Sequence, residues 1–262
     1  MASKSDPFSI FIHFPIMIFE LVTAIIVTIL GIIILIRWAD RRTRPTLYLS
    51  LALFSIAAAV FIAFSGLMSW FFTWIGNGMG SVLSPDFYSL SLPLGYSFVV
   101  AYDVFLFLFT IHIFSDKNEK KVLPIAIVGV ILIGLLFLPN NYWGTNQGAG
   151  DLPSIRTVTL ALFLVYNMIL YVILTYYAFS EAKQADNKVT KRAFQAIAGG
   201  QILNIVVFIM FLGDAIIILL DPASPGYSFF IYLAWLSALL ATFLFYLGYI
   251  LPDWFKKLIE KE

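Results

Sequence analysis

Three carboxylates, Glu20, Asp103 and Asp214, lie in apolar runs whose interiors carry no lysine or arginine. A carboxyl group withdrawn from water must be neutral, hydrated, hydrogen-bonded to a tyrosine or asparagine, or opposite a bound cation. In hydrocarbon such groups mark function by default. The chemistry they suggest is recognition rather than catalysis: a pocket for a cationic or polyhydroxylated small molecule, or a path for protons. Asp103 and Asp214 are the expected principal contacts, with Glu20 next. Asn204, Tyr232 and Trp235 complete the candidate ligand-binding set.

Depth and helical phase bring these residues together. At about 1.5 Å per residue, Glu20 and Asp214 fall roughly 9 Å, and Asp103 and Trp235 roughly 12 Å, below the ends of their segments. Gly200, Asn204, Val207, Phe211 and Asp214 share a direction to within about 40° on one helix. Similar stripes run through Tyr232, Trp235, Thr242 and Tyr246, through Asn167, Tyr171 and Thr175, and through Tyr96, Asp103 and Thr110. Such stripes serve an open cavity or ordinary hydrogen bonding between helices, and glue between helices is the expected use of the Asn, Thr and Tyr members.

Other chemistries lack their residues. His13 and His112 fall at opposite ends of their segments, too far apart for one haem iron, and no metal-ligand spacing occurs. Asp103 and His112 are nine residues apart and on opposite helix faces, so they form no dyad. No nucleophile elbow or zinc-protease helix is present. The last apolar segment has no lysine for a retinal Schiff base. No enzyme, cofactor or metal is expected. Gly76, Gly78 and Gly80 follow no strand and are no dinucleotide fingerprint.

The elements that must position the candidates are membrane helices. Of 262 residues, 61% are hydrophobic and 12% charged, with mean hydropathy +0.94. A soluble domain carries about 25% charged residues, so soluble enzymes and nucleic-acid binders are excluded. Seven apolar segments are expected at about 14–37, 46–68, 95–114, 122–139, 157–179, 193–220 and 227–250, with prolines such as Pro45, Pro85, Pro93, Pro124, Pro139 and Pro252 at or near their ends. The first, preceded by one lysine and lacking a cleavage site, reads as a retained span rather than a signal peptide. Fourteen of the sixteen basic residues follow odd-numbered segments, leaving Lys4 and Arg156 opposite. The positive-inside rule then puts the N-terminus outside and the C-terminus in the cytoplasm. The expectation is an all-α, polytopic seven-transmembrane-helix bundle over 1–250, and a cytoplasmic interfacial tail over 251–262. Trp254, Phe255, Leu258 and Ile259 lie near one face of that tail's short helix. Residues 69–94, rich in Trp, Phe, Gly and Ser, are expected to lie partly in the interface, with Trp70, Phe71, Phe72, Trp74 and Tyr88 as anchors. The absence of cysteine removes disulfides, thiolate ligands and palmitoylation.

The basic turn RWADRRTRPTLYLSLALFS, the segment SDKNEKK, the entry ADNKVTKRAFQAIAGGQ and the exit YLGYILPDWFKK, with N-out seven-helix topology, together resemble the seven-helix membrane sensor regions that precede histidine kinase domains in some bacteria and archaea. That resemblance implies signal reception by the bundle and output through its cytoplasmic face. Only ten residues follow Pro252, so output is expected to pass through a separate membrane or cytoplasmic partner protein. The reading is a receptor-like protein of the plasma membrane, with the lipid bilayer as solvent, an outward-facing polar cavity, a small-molecule ligand at its outer side and no nucleic-acid partner. Two other classes compete: a proton- or cation-coupled small-molecule transporter, and a structural subunit packing through Ser55, Ala59 and Ala63.

Overall fold

A computed structural model describes residues 8–76, 86–114, 119–138, 156–220 and 228–261. Every regular element among them is helical. In chain order these are α1 (Phe8–Arg41), α2 (Arg44–Gly76), α3 (Asp86–Phe114), a 3-10 turn (Glu119–Val122), α4 (Leu123–Leu136), α5 (Arg156–Gln184), α6 (Lys188–Leu220), α7 (Phe229–Phe245) continued by a π-helical turn (Tyr246–Ile250), and α8 (Asp253–Lys261). Six of them, α1, α2, α3, α5, α6 and α7 with its π turn, are long and apolar enough to cross a membrane.

Local chemistry fixes where the hairpins turn. Between α1 and α2 only Arg42 and Thr43 intervene. Arg42 adopts φ 53°, its amide donates to the Trp38 carbonyl at 2.7 Å, and its guanidinium lies 4.9 Å from the Trp38 ring centre. Asn187 caps α6, its side chain accepting from the Val189 amide at 2.8 Å, which satisfies a donor the helix start leaves free. Ser228 caps α7 in the same way, accepting from the Phe230 amide at 3.2 Å. At the other end of α7, Leu251 turns left-handed and the Ile250 carbonyl accepts from Arg37 of α1 at 3.2 Å.

Packing arranges six helices in a closed ring. Contacts run α1 to α2, α2 to α3, α3 to α5, α5 to α6, α6 to α7 and α7 back to α1, while α4 lies outside the ring against α3 and α5. The outer surface is hydrophobic: Ile29, Val130, Val158 and Val172 are each at least half exposed. A protein folded for water would bury such a belt, so hydrocarbon is its natural solvent.

Several expected boundaries shift. The fourth apolar segment forms a helix of only 14 residues, about 21 Å long, short of a bilayer core of roughly 30 Å. Residues 69–76 and 86–94, set outside the expected spans, are the last turns of α2 and the first of α3. Within them Phe71 packs against the cluster around Ile16 and Leu67, whereas Phe72 is exposed. The expected anchors Trp70, Trp74 and Tyr88 have side chains outside the described residues, as has His13. Pro93 falls inside α3, not at its start. A membrane helix tolerates an internal proline when neighbouring groups satisfy the freed backbone.

Close approach of α6 to the end of α7 depends on Gly248. A Cβ there would stand 2.5 Å from Ile197 Cγ1 and 2.9 Å from the Ala193 carbonyl oxygen, a backbone atom with no rotamer to yield. Gly248→Val is expected to destabilise the protein by about 1–3 kcal/mol in denaturant unfolding. Gly134→Val on α4, where a Cβ meets nothing within 4 Å, should be close to neutral by the same measurement.

Candidate ligand-binding site

A cavity of about 350 Å³ lies within the ring, and all six ring helices contribute to its wall. Its volume is in the range of small-molecule sites. From α1 come Glu20, Thr23 and Val27, successive members of a buried stripe that begins at Ile16. Apolar side chains make up most of the wall, among them Val60, Val99, Leu164 and Phe208. The expected chamber is therefore narrower in polarity than the stripes suggested, an apolar pocket carrying a few placed polar groups.

Four of the six candidate residues line it together: Glu20, Asn204, Asp214 and Trp235. Glu20 is 4% exposed, and its Oε2 has no hydrogen-bond partner among the described residues. Asn204 donates to the Tyr102 hydroxyl at 3.4 Å, a bond from α6 to α3. Trp235 packs edge-on to Phe211, 6.1 Å between ring centres.

Asp214 has a second duty. Its Oδ1 accepts from the amide of Ser228 at 2.7 Å, so the carboxyl of α6 holds the N-cap residue of α7, where the helix dipole favours negative charge. Asp214→Ala is expected to cost about 1–2 kcal/mol of stability, and Asp214→Asn, which keeps an oxygen acceptor, less than half of that. Thermal unfolding of the two variants checks the order.

The other two candidates are displaced. Asp103 does not line the cavity. It is 1% exposed, and its Oδ1 accepts from the Tyr171 hydroxyl at 3.0 Å while Oδ2 has no partner among the described residues. Tyr171 stands at the wall and Asp103 behind it: Tyr96 of the same α3 stripe reaches the cavity, whereas Asp103, two turns further on, meets Tyr171 of α5. Tyr232 is also absent from the wall. Three residues before Trp235, it is rotated by about 60° and packs against the cluster around Ile16 and Met17.

The lesser polar residues divide by type. Thr110, Thr175 and Thr242 each donate to the carbonyl four residues back in their own helix, so these stripe members do not join helices through that bond. Tyr102, Tyr166 and Tyr171 do bridge helices, Tyr166 by donating to the Ile125 carbonyl of α4 at 3.0 Å. Ala59 and Ala63 of the small-residue stripe face the cavity. At Gly95 of α3 a Cβ would approach the Ala59 carbonyl to 3.4 Å, so the stripe serves packing within the bundle. Thr23, Ser91, Tyr96 and Tyr171 also line the cavity. They were not among the candidates, although Tyr96 and Tyr171 lay on marked stripes and Thr23 sits three residues from Glu20.

His112 Nδ1 lies 2.9 Å from the Leu108 carbonyl and its ring is edge-on to Tyr48. Among the described residues no group of three His, Cys, Asp or Glu side chains could hold a metal ion. Among the described residues no lysine, arginine or histidine lines the cavity. The arrangement offers two carboxyl groups, hydroxyls and aromatic faces in an apolar enclosure, without any paired nucleophile and base. No protein-family model, curated protein or solved structure matches the chain.

Proposed function

We propose that this chain is a receptor-like, non-catalytic membrane protein that takes a small molecule into its helix ring and reports occupancy through the end of α7. The observation that carries the reading is the cavity, built from all six ring helices and bordered by a buried carboxyl group with an unpartnered oxygen. In this reading α4 is a seventh crossing. Its lipid-like outer face, its seat against α3 and α5, and the recurrence of basic residues after odd-numbered helices support seven crossings and an external N-terminus, with the bilayer thinned locally around the short α4; the membrane proposed is the plasma membrane.

A mechanical route supports signalling over simple containment. Phe245 borders the cavity and stacks on Tyr249, 5.8 Å between centres, inside the π turn that leads to α8. Opposite it, Gly200 leaves room only for that ring, since a Cβ there would stand 2.5 Å from Phe245 Cε1. A guest that moves Phe245 therefore moves the turn. π turns recur at functional sites in helices, and the likeness to kinase-linked sensor regions supports output on the face where α8 lies, to a separate partner.

The test uses the full chain in sealed vesicles, with an environment-sensitive dye on Leu258→Cys of α8, a residue 54% exposed. A compound from a small-molecule screen that raises the melting temperature should shift the dye's emission without crossing the vesicle. Uptake of that compound would replace the receptor reading with transport. Chains that co-purify in fixed stoichiometry, with no stabilising compound found, would replace it with a structural subunit.

A further inference from the structure

We infer that the cavity's guest is an organic monocation, a protonated amine on a small apolar or aromatic body, with Glu20 as its counter-ion. This rests on the cavity being a ligand site, as proposed above, and adds the class of ligand. Among the three buried intramembrane acids the assignment falls on Glu20 by elimination. Asp103 is behind Tyr171 and already accepts its hydroxyl. Asp214 accepts the Ser228 amide and holds α7. Glu20 lies at the wall, 4% exposed, with Oε2 unpartnered among the described residues.

A carboxylate enclosed in apolar surroundings gains most from a partner that brings the opposite charge and hydrogen-bond donors with it. An ammonium group supplies both, and among the described residues the wall supplies no cation to compete. The rest of the enclosure selects the body of the ligand. Trp235, Phe211 and Tyr96 present aromatic rings, which favour a cation or a second ring beside them. The apolar majority of the wall would leave a polyhydroxylated compound with most of its hydroxyls unpaired, at a cost for each. A bare metal cation needs several oxygen ligands, and no such acidic or histidine cluster exists among the described residues. An anion would meet two carboxyl groups.

The full chain in nanodiscs of uncharged lipid, titrated with 2-phenylethylammonium, its neutral isostere 2-phenylethanol and the anion 3-phenylpropanoate, tests the class. The expected result is saturable thermal stabilisation by the ammonium compound, with the alcohol at least about tenfold weaker and the anion without effect. Glu20→Gln should abolish the preference for the amine over the alcohol, and Glu20→Asp should retain it in part. Should Glu20→Gln fail to fold, the same comparison is made on Thr23→Val and Leu236→Phe. Thr23 lines the cavity one turn from Glu20 and Leu236 faces outward, so only the first should weaken the amine. Equal binding of amine and alcohol, or an amine preference that survives Glu20→Gln, overturns the cation assignment and leaves the ligand site standing. Failure of all three probes overturns the cation assignment, and if cysteines placed at Ala63 and Ala238 of the wall are also inaccessible to a water-soluble thiol reagent, the ligand site falls with it.

Discussion

Tyr171→Phe is expected to lower the unfolding free energy by about 2–3 kcal/mol, well above the roughly 0.6 kcal/mol of an average hydrogen bond between membrane helices. The phenol is 1% exposed and its hydroxyl donates to Asp103, itself 1% exposed. Asp103 Oδ2 already lacks a partner among the described residues, so deleting the hydroxyl leaves the whole carboxyl without a described donor. The cost comes from the group left behind more than from the bond removed. Asp103→Leu in the Tyr171→Phe background should therefore recover most of the loss, because an apolar pair of similar volume has nothing to desolvate. Denaturant unfolding of the two single variants and the double variant, in one detergent, gives the coupling energy directly. A Tyr171→Phe cost no larger than the membrane average would mean that this junction does not hold α3 to α5.

Ala238→Phe should abolish stabilisation by any cavity ligand, an affinity loss of at least about a hundredfold, while leaving unliganded stability unchanged or raised. Ala238 lies between Trp235 and Thr242 on the face of α7 that borders the cavity. A phenyl group there occupies the space a guest would need, and exclusion by clash is the strongest form of selectivity a pocket has. Filling an existing void removes no contact and adds several, so the fold should not suffer. Leu240→Phe, on the outward face of the same helix at 48% exposure, is the matched control and should bind as the parent does. Titration of both variants with a stabilising compound, followed by thermal unfolding, separates the two outcomes.

Sequence periodicity located most of this site but not its partners. The 3.6-residue repeat placed Asn204 and Asp214 on one stripe of α6, and both line the cavity with Glu20 and Trp235. For Asp103 the same repeat correctly marked a buried face of α3, yet a helical wheel does not say which neighbour that face meets, and here it meets Tyr171. Asp214 had no visible partner in sequence because the partner is a backbone amide, at Ser228. Tyr232 does not reach the wall, although Ile231 and Trp235 on either side of it do, and it packs against the Ile16 cluster instead. Hydropathy found the α4 segment without giving its helical length, and it set residues 69–94 outside the spans where 69–76 in fact continue α2 and 86–94 begin α3. Threonines were overvalued as glue, because Thr110, Thr175 and Thr242 bond to the preceding turn of their own helix.

The chain contains no cysteine, so single cysteines can be introduced without a background to remove, and their reaction with a small water-soluble thiol reagent reports solvent access. The measurement that bears most directly on a solvent-accessible ligand chamber inside the ring compares Ala63→Cys and Ala238→Cys, at the cavity wall, with Ile29→Cys and Leu236→Cys, on the lipid-facing surface. Treated in sealed vesicles with 2-aminoethyl methanethiosulfonate, the two cavity cysteines should react and the two outer ones should not, with protection when a stabilising ligand is bound. Cavity cysteines as unreactive as those at Ile29 and Leu236 would contradict the account.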